Sequence, residues 1–215
     1  MKIGIIGSGV VGQVLAKAFK TEGHNVVLGT RHTSKEEVVK FNKESGIAIA
    51  TFENTAKHGE LIVLATKGTA AEEAINLAGI SNFAGKPVID ATNPIADAAP
   101  TNGVLHFFTT LEESLMERIQ KLIPAAKVVK AFNSAGNIYM YKPNFPGGKP
   151  TMFICGNDDG AKKTVTDVLT AFGWETEDMG KVEAARAIEP LCILWCIPGF
   201  IRNQWNHAFK LLKAK

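Results

Sequence analysis

"KIGIIGSGVVGQVLAKAF", residues Lys2–Phe19, decides the fold. It opens on a short apolar run, breaks at Gly7-Ser8-Gly9, and resumes with Val11, Leu15 and Phe19 at helical spacing. A strand, a glycine turn and a helix in direct succession start a crossover unit. Gly7-Ser8-Gly9-Val10-Val11-Gly12 is also a G-x-G-x-x-G pattern, placed where that pattern has physical meaning. Gly7 permits the tight turn, Gly9 leaves room for an approaching pyrophosphate, and Gly12 lets the helix lie close to the strand. The exposed amides near Val10 and Val11, with the helix dipole, would hold the phosphate charge. The stretch therefore reads as a dinucleotide site.

The rest of the chain repeats the alternation. Strands are expected at Asn25–Leu28, Ile47–Ala50, Leu61–Ala65, Pro87–Asp90, Lys127–Ala131, Thr151–Cys155 and Trp174–Asp178. Helices are expected at Val10–Glu22, Ser34–Glu44, Glu53–His58, Ala70–Ala78, Thr110–Ile123 and Ala161–Phe172. The second helix follows a capping pattern, Thr33-Ser34-Lys35-Glu36. Ala91–Phe108 is irregular, and Tyr141–Pro150 reads as a surface loop. Val182–Leu212 is helical in period except around Pro198-Gly199, and Pro190 and Pro198 should kink or end helices there. Short apolar strands alternating with amphipathic helices imply strands buried on both faces. The expected fold is α/β, a doubly wound, mostly parallel Rossmann-type sheet over residues 1–180, with a C-terminal helical segment over 181–215.

"VVLGTRHTSK", Val26–Lys35, falls where such a fold selects its cofactor. An NAD site places Asp or Glu there for the ribose hydroxyls. Here the strand runs out into Thr30 and Arg31, with Ser34 and Lys35 just beyond. A guanidinium can pair with a 2′-phosphate and stack on adenine, while hydroxyls add donors. This strand end reads as built for NADP.

Composition narrows the partners. The chain has 215 residues, 46% apolar, with a formal charge of +3 from scattered basic residues, which argues against nucleic acid. The strand at Met1-Lys2-Ile3 leaves no room for a signal peptide, and Pro190–Ile201 is too short to span a bilayer. Cys155, Cys192 and Cys196 form no disulfide framework, and the histidines are isolated, so no metal site is expected. A reducing, cytoplasmic setting without a membrane partner follows.

The segments "KIGIIGSGVVGQVLAKAF", "VVLGTR", "VIDATNPI", "KVVKAFN" and "ARAIEPLCILW" resemble the F420-dependent NADP oxidoreductases and their dinucleotide-binding relatives. The cytoplasmic domain of the STEAP metalloreductases is a more distant likeness. The resemblance implies hydride transfer between NADPH and the deazaflavin F420, commonly in a dimer. It also implies that Thr30 and Arg31 hold the 2′-phosphate and that the loops after "LIVLAT", "VIDATNP" and "VVKAFN" line the nicotinamide side.

Ligands of open α/β sheets lie beyond the carboxyl ends of the strands. Thr66, Lys67, Asn93, Pro94, Ala131 and Asn133 occupy those ends, with Asp90 as a weaker candidate that often only ties down its loop. Asn93 and Asn133 are candidates to orient a carboxamide or substrate carbonyl. No nucleophile–base arrangement or carboxylate pair is visible, and His106, Tyr139 and Lys67 are the only nameable proton donors. Hydride transfer between ring cofactors tolerates that, because the rings carry the chemistry. Three functions follow in order: an NADP oxidoreductase with an F420 or flavin-like acceptor, a reductase of a small carbonyl or imine, and a non-catalytic NADPH sensor. The apolar, aromatic stretch Ala184–Trp205 should pack on the sheet, contact a second copy as a homodimer, and wall the site.

Overall fold

The computed structural model describes residues 1–214. Its strands are β1 (Lys2–Ile6), β2 (Asn25–Thr30), β3 (Ala48–Thr51), β4 (Leu61–Leu64), β5 (Pro87–Asp90), β6 (Lys127–Lys130), β7 (Thr151–Gly156) and β8 (Glu175–Asp178). Its α-helices are α1 (Val10–Thr21), α2 (Glu36–Ser45), α3 (Phe52–His58), α4 (Ala71–Ala78), α5 (Leu115–Leu122), α6 (Asp159–Ala171), α7 (Ala185–Ile188) and α8 (Leu191–Arg202). The strands form one eight-stranded sheet in the order β3-β2-β1-β4-β5-β6-β7-β8. Every pairing is parallel except β6 with β7, where Lys130 faces Cys155. The expected doubly wound sheet is the observed one. Strand order reverses between β1 and β4, so the crevice opens beside the glycine turn.

The central strands bury both faces, which is why they read as unbroken apolar runs. Ile3, Ile5 and Val63 pack with Phe19 and Phe172 on one side, and Ile6, Ile62 and Leu64 with Ile75 and Ile119 on the other.

Several boundaries differ from the sequence reading. The pattern at Thr33 does not cap α2, which starts at Glu36 behind Lys35 with no side-chain cap. The helix expected from Thr110 begins at Leu115, where Ser114 and Glu117 form the capping box that fixes the start. Pro198 lies inside α8 rather than ending it, and the helix stops instead at Asn203 in the left-handed conformation. From Asn203 to Ala214 the tail is not helical, and it returns to β7 through Thr151 N donating to Phe209 O. The helical run that holds the Pro190–Ile201 stretch also reaches a bilayer-spanning length, contrary to the expectation for that stretch alone. Val182–Arg202 is 21 residues, long and apolar enough to cross a membrane by length and composition.

A buried charge cluster seats that run on the sheet. Lys130, with no exposed surface, places Nζ 2.7 Å from Asp90 Oδ2 and 2.8 Å from Glu189 Oε1, and donates to Thr92 O. Two carboxylates against one ammonium leave excess negative charge, which backbone dipoles compensate. Glu189 accepts from the amides of Leu115 and Met116 at the start of α5, and Asp90 Oδ1 accepts from the amide and hydroxyl of Thr92. Burial works against the Lys130 ammonium, but the facing carboxylates outweigh it and hold its pKa above the ordinary lysine value. A second pair reinforces the seat. The Arg186 guanidinium grips Glu117 at 2.6–3.2 Å and holds that carboxyl down at about 2.

Lys130→Met removes the cation and leaves two buried carboxylates facing each other. It should cost about 3–5 kcal/mol in urea unfolding, the scale of breaking a buried ion pair from one side.

Candidate functional site

The glycine turn shows which of its residues the protein needs for itself. Gly7 has φ +123°, and a Cβ there would lie 2.4 Å from Ala65 O. A Cβ on Gly12 would lie 1.9 Å from Gly7 O, so Gly12 is a packing residue beneath the turn. Gly9 differs: its φ of −72° suits any residue, and a Cβ there would meet nothing within 4 Å. Nothing inside the fold demands a glycine at that position. The open space above it, at the N-terminus of α1, is what an incoming pyrophosphate requires.

A recess of about 240 Å³ lies on the β2 side of the turn. Its floor is Gly7, Ser8 and Gly9; one wall is Thr30, Arg31, His32 and Lys35, and the other comes from Thr66, Lys67 and the start of α4. Buried Thr30 organises the first wall, accepting from Ser8 Oγ at 3.1 Å and from the His32 amide at 3.3 Å. Thr66 Oγ1 is buried without a hydrogen-bond partner, an orphaned polar atom at the edge of this recess. The second wall also carries Glu73, which meets Arg31 at 3.4 Å. The sequence reading found no acid near this strand end. Glu73 comes from α4, and its first-turn position is equally explained by the helix dipole, so nothing local points it at Arg31.

A second recess of about 380 Å³ opens on the other side of the turn, beyond β5 and β6. Val10 and Val11 form one edge, Asn93 and Asn133 the floor, and Trp195 and Trp205 the far wall. Phe132, just after β6, has φ +64° although buried and not glycine. That conformation is uncommon and strained, and it turns the chain sharply so that Asn133 reaches the recess. Asn93 Nδ2 donates to Asn133 O at 2.7 Å, and Asn133 Nδ2 donates to Ile188 O at 2.8 Å. Facing that carbonyl settles which end of the Asn133 amide is nitrogen. Its buried Oδ1 then has no partner and is available to a donor on a ligand. Trp195 is held by two bonds to His207, and Trp205 lies over Gly199, where a Cβ would lie 2.3 Å from its ring.

Most of the remaining expected residues fall outside both recesses. Ser34 is exposed and does not line the first. Pro94 is buried and its carbonyl accepts from Phe108, and Ala131 is in the core. Asp90 serves the Lys130 cluster. Of the candidate proton donors, His106 is exposed and paired with Thr101, Tyr139 packs at a tilt against Phe145, and Lys67 lies in the first recess paired with Asp97. Among the described residues lining the second recess there is no carboxylate, imidazole, phenol or ammonium. Cys192 and Cys196 are there, one helical turn apart on α8, and their mutual contact, with burial, pushes the Cys192 thiol above its ordinary range.

The family model for coenzyme F420-dependent NADP oxidoreductases matches residues 2–94. A solved structure from Arthrobacter sp. FB24, assigned provisionally as an F420-dependent NADP reductase, is 31% identical with a TM-score of 0.92. It covers 99% of this chain, which covers 100% of it. The chain belongs to the F420-dependent NADP oxidoreductase-like family. The F420-dependent NADP reductase of Methanocaldococcus jannaschii is 29% identical over 89% of each chain. The metalloreductase STEAP3 of Rattus norvegicus is 30% identical over 92% of this chain, which spans only 38% of that protein. An imine reductase from Aspergillus terreus, 19% identical with a TM-score of 0.66 over 94% of this chain and 63% of its own, shares the fold.

Gly9→Val should abolish binding of both NADPH and NADH in a fluorescence titration while the thermal melt is unchanged, since the new side chain meets only the ligand. Arg31→Ala should weaken NADPH by about 1–3 kcal/mol and leave NADH alone, the scale of one charge-assisted contact.

Proposed function

We propose that the protein moves a hydride between NADPH and a flat ring acceptor, a deazaflavin such as F420 or a flavin. The observation that carries this reading is the space above Gly9, standing between a cation-lined recess and an aromatic-lined one. In this reading the pyrophosphate crosses the turn. The adenosine 2′-phosphate lies with Thr30, Arg31 and Lys35 in the first recess, and the nicotinamide with Asn93 and Asn133 in the second. The orphaned Oδ1 of Asn133 matches the amide N–H of the nicotinamide carboxamide. When bound, NADPH supplies the hydride. The chain's own residues orient the ring through the paired asparagines, and Trp195, Trp205 and Phe132 exclude water from one side.

The lining of the second recess favours a ring acceptor over a carbonyl or imine. Reducing the latter requires a proton donor at the substrate, and none of His106, Tyr139 and Lys67 lines that recess, whose titratable groups are the Cys192 and Cys196 thiols. A preserved aromatic recess also favours an enzyme over a sensor. In stopped-flow mixing, NADPH should be oxidised by F420, FMN or FAD and not by keto acids or imines. Oxidation only by the second group would install the alternative. Asn133→Ala and Asn93→Ala should slow turnover by less than about 10²-fold, because they position a ring and transfer no proton.

We also propose a homodimer in a reducing, cytoplasmic setting, which three unpaired cysteines fit. Leu194 and Ile201 lie two helical turns apart on α8, each 55% exposed, with Phe200 beside them. A second copy covering that face would bury them. Ile201→Glu should convert a dimer to a monomer in light scattering, with NADPH affinity unchanged.

A further inference from the structure

The positive charges that face the first recess are already paired. Arg31 meets Glu73, Lys35 meets Glu37 at 3.4 Å, and Lys67 meets Asp97. Glu37 and Asp97 stand behind their partners, outside the recess. Glu73 alone of the three lines it. An anion arriving on the Arg31 guanidinium therefore meets a carboxylate already seated there.

We propose that Glu73 is a specificity-determining residue that competes with the cofactor's 2′-phosphate for Arg31 and so sets how fast a 2′-phosphorylated dinucleotide leaves. This rests on the reading of Arg31 as the 2′-phosphate ligand. The pair is well placed to exchange. Both side chains are more than half exposed, at 54% and 61%, so water screens the contact and a dianionic phosphate can take it over. Glu73 lies in the first turn of α4, whose dipole stabilises its charge once Arg31 turns away. It cannot withdraw far, because α4 is packed against the sheet through Ala71, Ala74 and Ile75. The displaced carboxylate stays close to the phosphate and repels it. NADH has no charge at that position and should not sense Glu73. An oxidoreductase that must release NADP⁺ each turnover gains from such a contact, since release limits many dehydrogenases.

The test compares wild type, Glu73→Gln, Arg31→Ala and the double variant by fluorescence titration with NADPH, NADP⁺ and NADH. A stopped-flow chase gives dissociation rates. Glu73→Gln should bind NADPH and NADP⁺ about two- to fivefold tighter, the upper range of one exposed charge contact, with dissociation slowed in proportion. NADH should change by less than about twofold. On the Arg31→Ala background the Glu73 effect should disappear, and in wild type it should shrink as salt rises. Unchanged or weaker NADPH binding in Glu73→Gln, or equal tightening for NADH, overturns the proposal. If Arg31→Ala leaves the NADPH-to-NADH ratio unaltered, the reading beneath it fails instead. If that ratio falls and Glu73→Gln does nothing, only the role of Glu73 fails.

Discussion

Lys130 stands at the end of β6 with Asp90 on the neighbouring strand and Glu189 between α7 and α8, all three buried. Removing three charges from water is expensive, and apolar side chains of similar size would often stabilise as well. What the cluster adds here is registration. It joins the carboxyl ends of β5 and β6, the start of α5 through the Leu115 and Met116 amides, and the helical run that carries Trp195. Asn133 is tied to the same run through Ile188 O. The floor and far wall of the second recess thus share one anchor. The Val182–Arg202 run passes a length and composition test for crossing a bilayer, yet it contains Glu189, whose charge is matched only against the sheet.

The first recess depends on the backbone instead. Gly7 and Gly12 are demanded by contacts within the turn, and those contacts leave Gly9 bare beside the α1 N-terminus. One device leaves open space at a helix start, the other places polar side chains through buried charge. Together they put a cation-lined recess and an aromatic one on either side of a single turn.

The mostly parallel, doubly wound sheet and the glycine turn at its switch point were legible from Lys2–Phe19 and the later apolar runs, because burial on both faces leaves a continuous pattern; the strand order came from the fold. Thr30, Arg31, Asn93 and Asn133 were named from their places at strand ends, and the fold brings them to the two recesses. Ser34 and Thr33 misled, since α2 begins later than the capping pattern implies. Glu73 was missed for a general reason: it reaches the recess from α4 through tertiary placement, which no local spacing records, whereas His32 follows Arg31 directly on the same wall and was open to the strand-end reading. The tail misled in another way. Its apolar period continues past Arg202, but Asn203 turns left-handed and the chain returns to the sheet edge. Asp90 and Glu189 were legible only as residues, and their joint role needed the fold.

The central claim is direct hydride transfer from NADPH in the crevice to a ring lying against Trp195 and Trp205. The most direct measurement uses NADPH deuterated on one or the other face of the nicotinamide, mixed with F420, and follows the label by mass spectrometry. Deuterium from a single face should appear on the deazaflavin ring without dilution by solvent protons. Label found in water, or F420 left unreduced while an imine or carbonyl consumes the NADPH, would contradict the account.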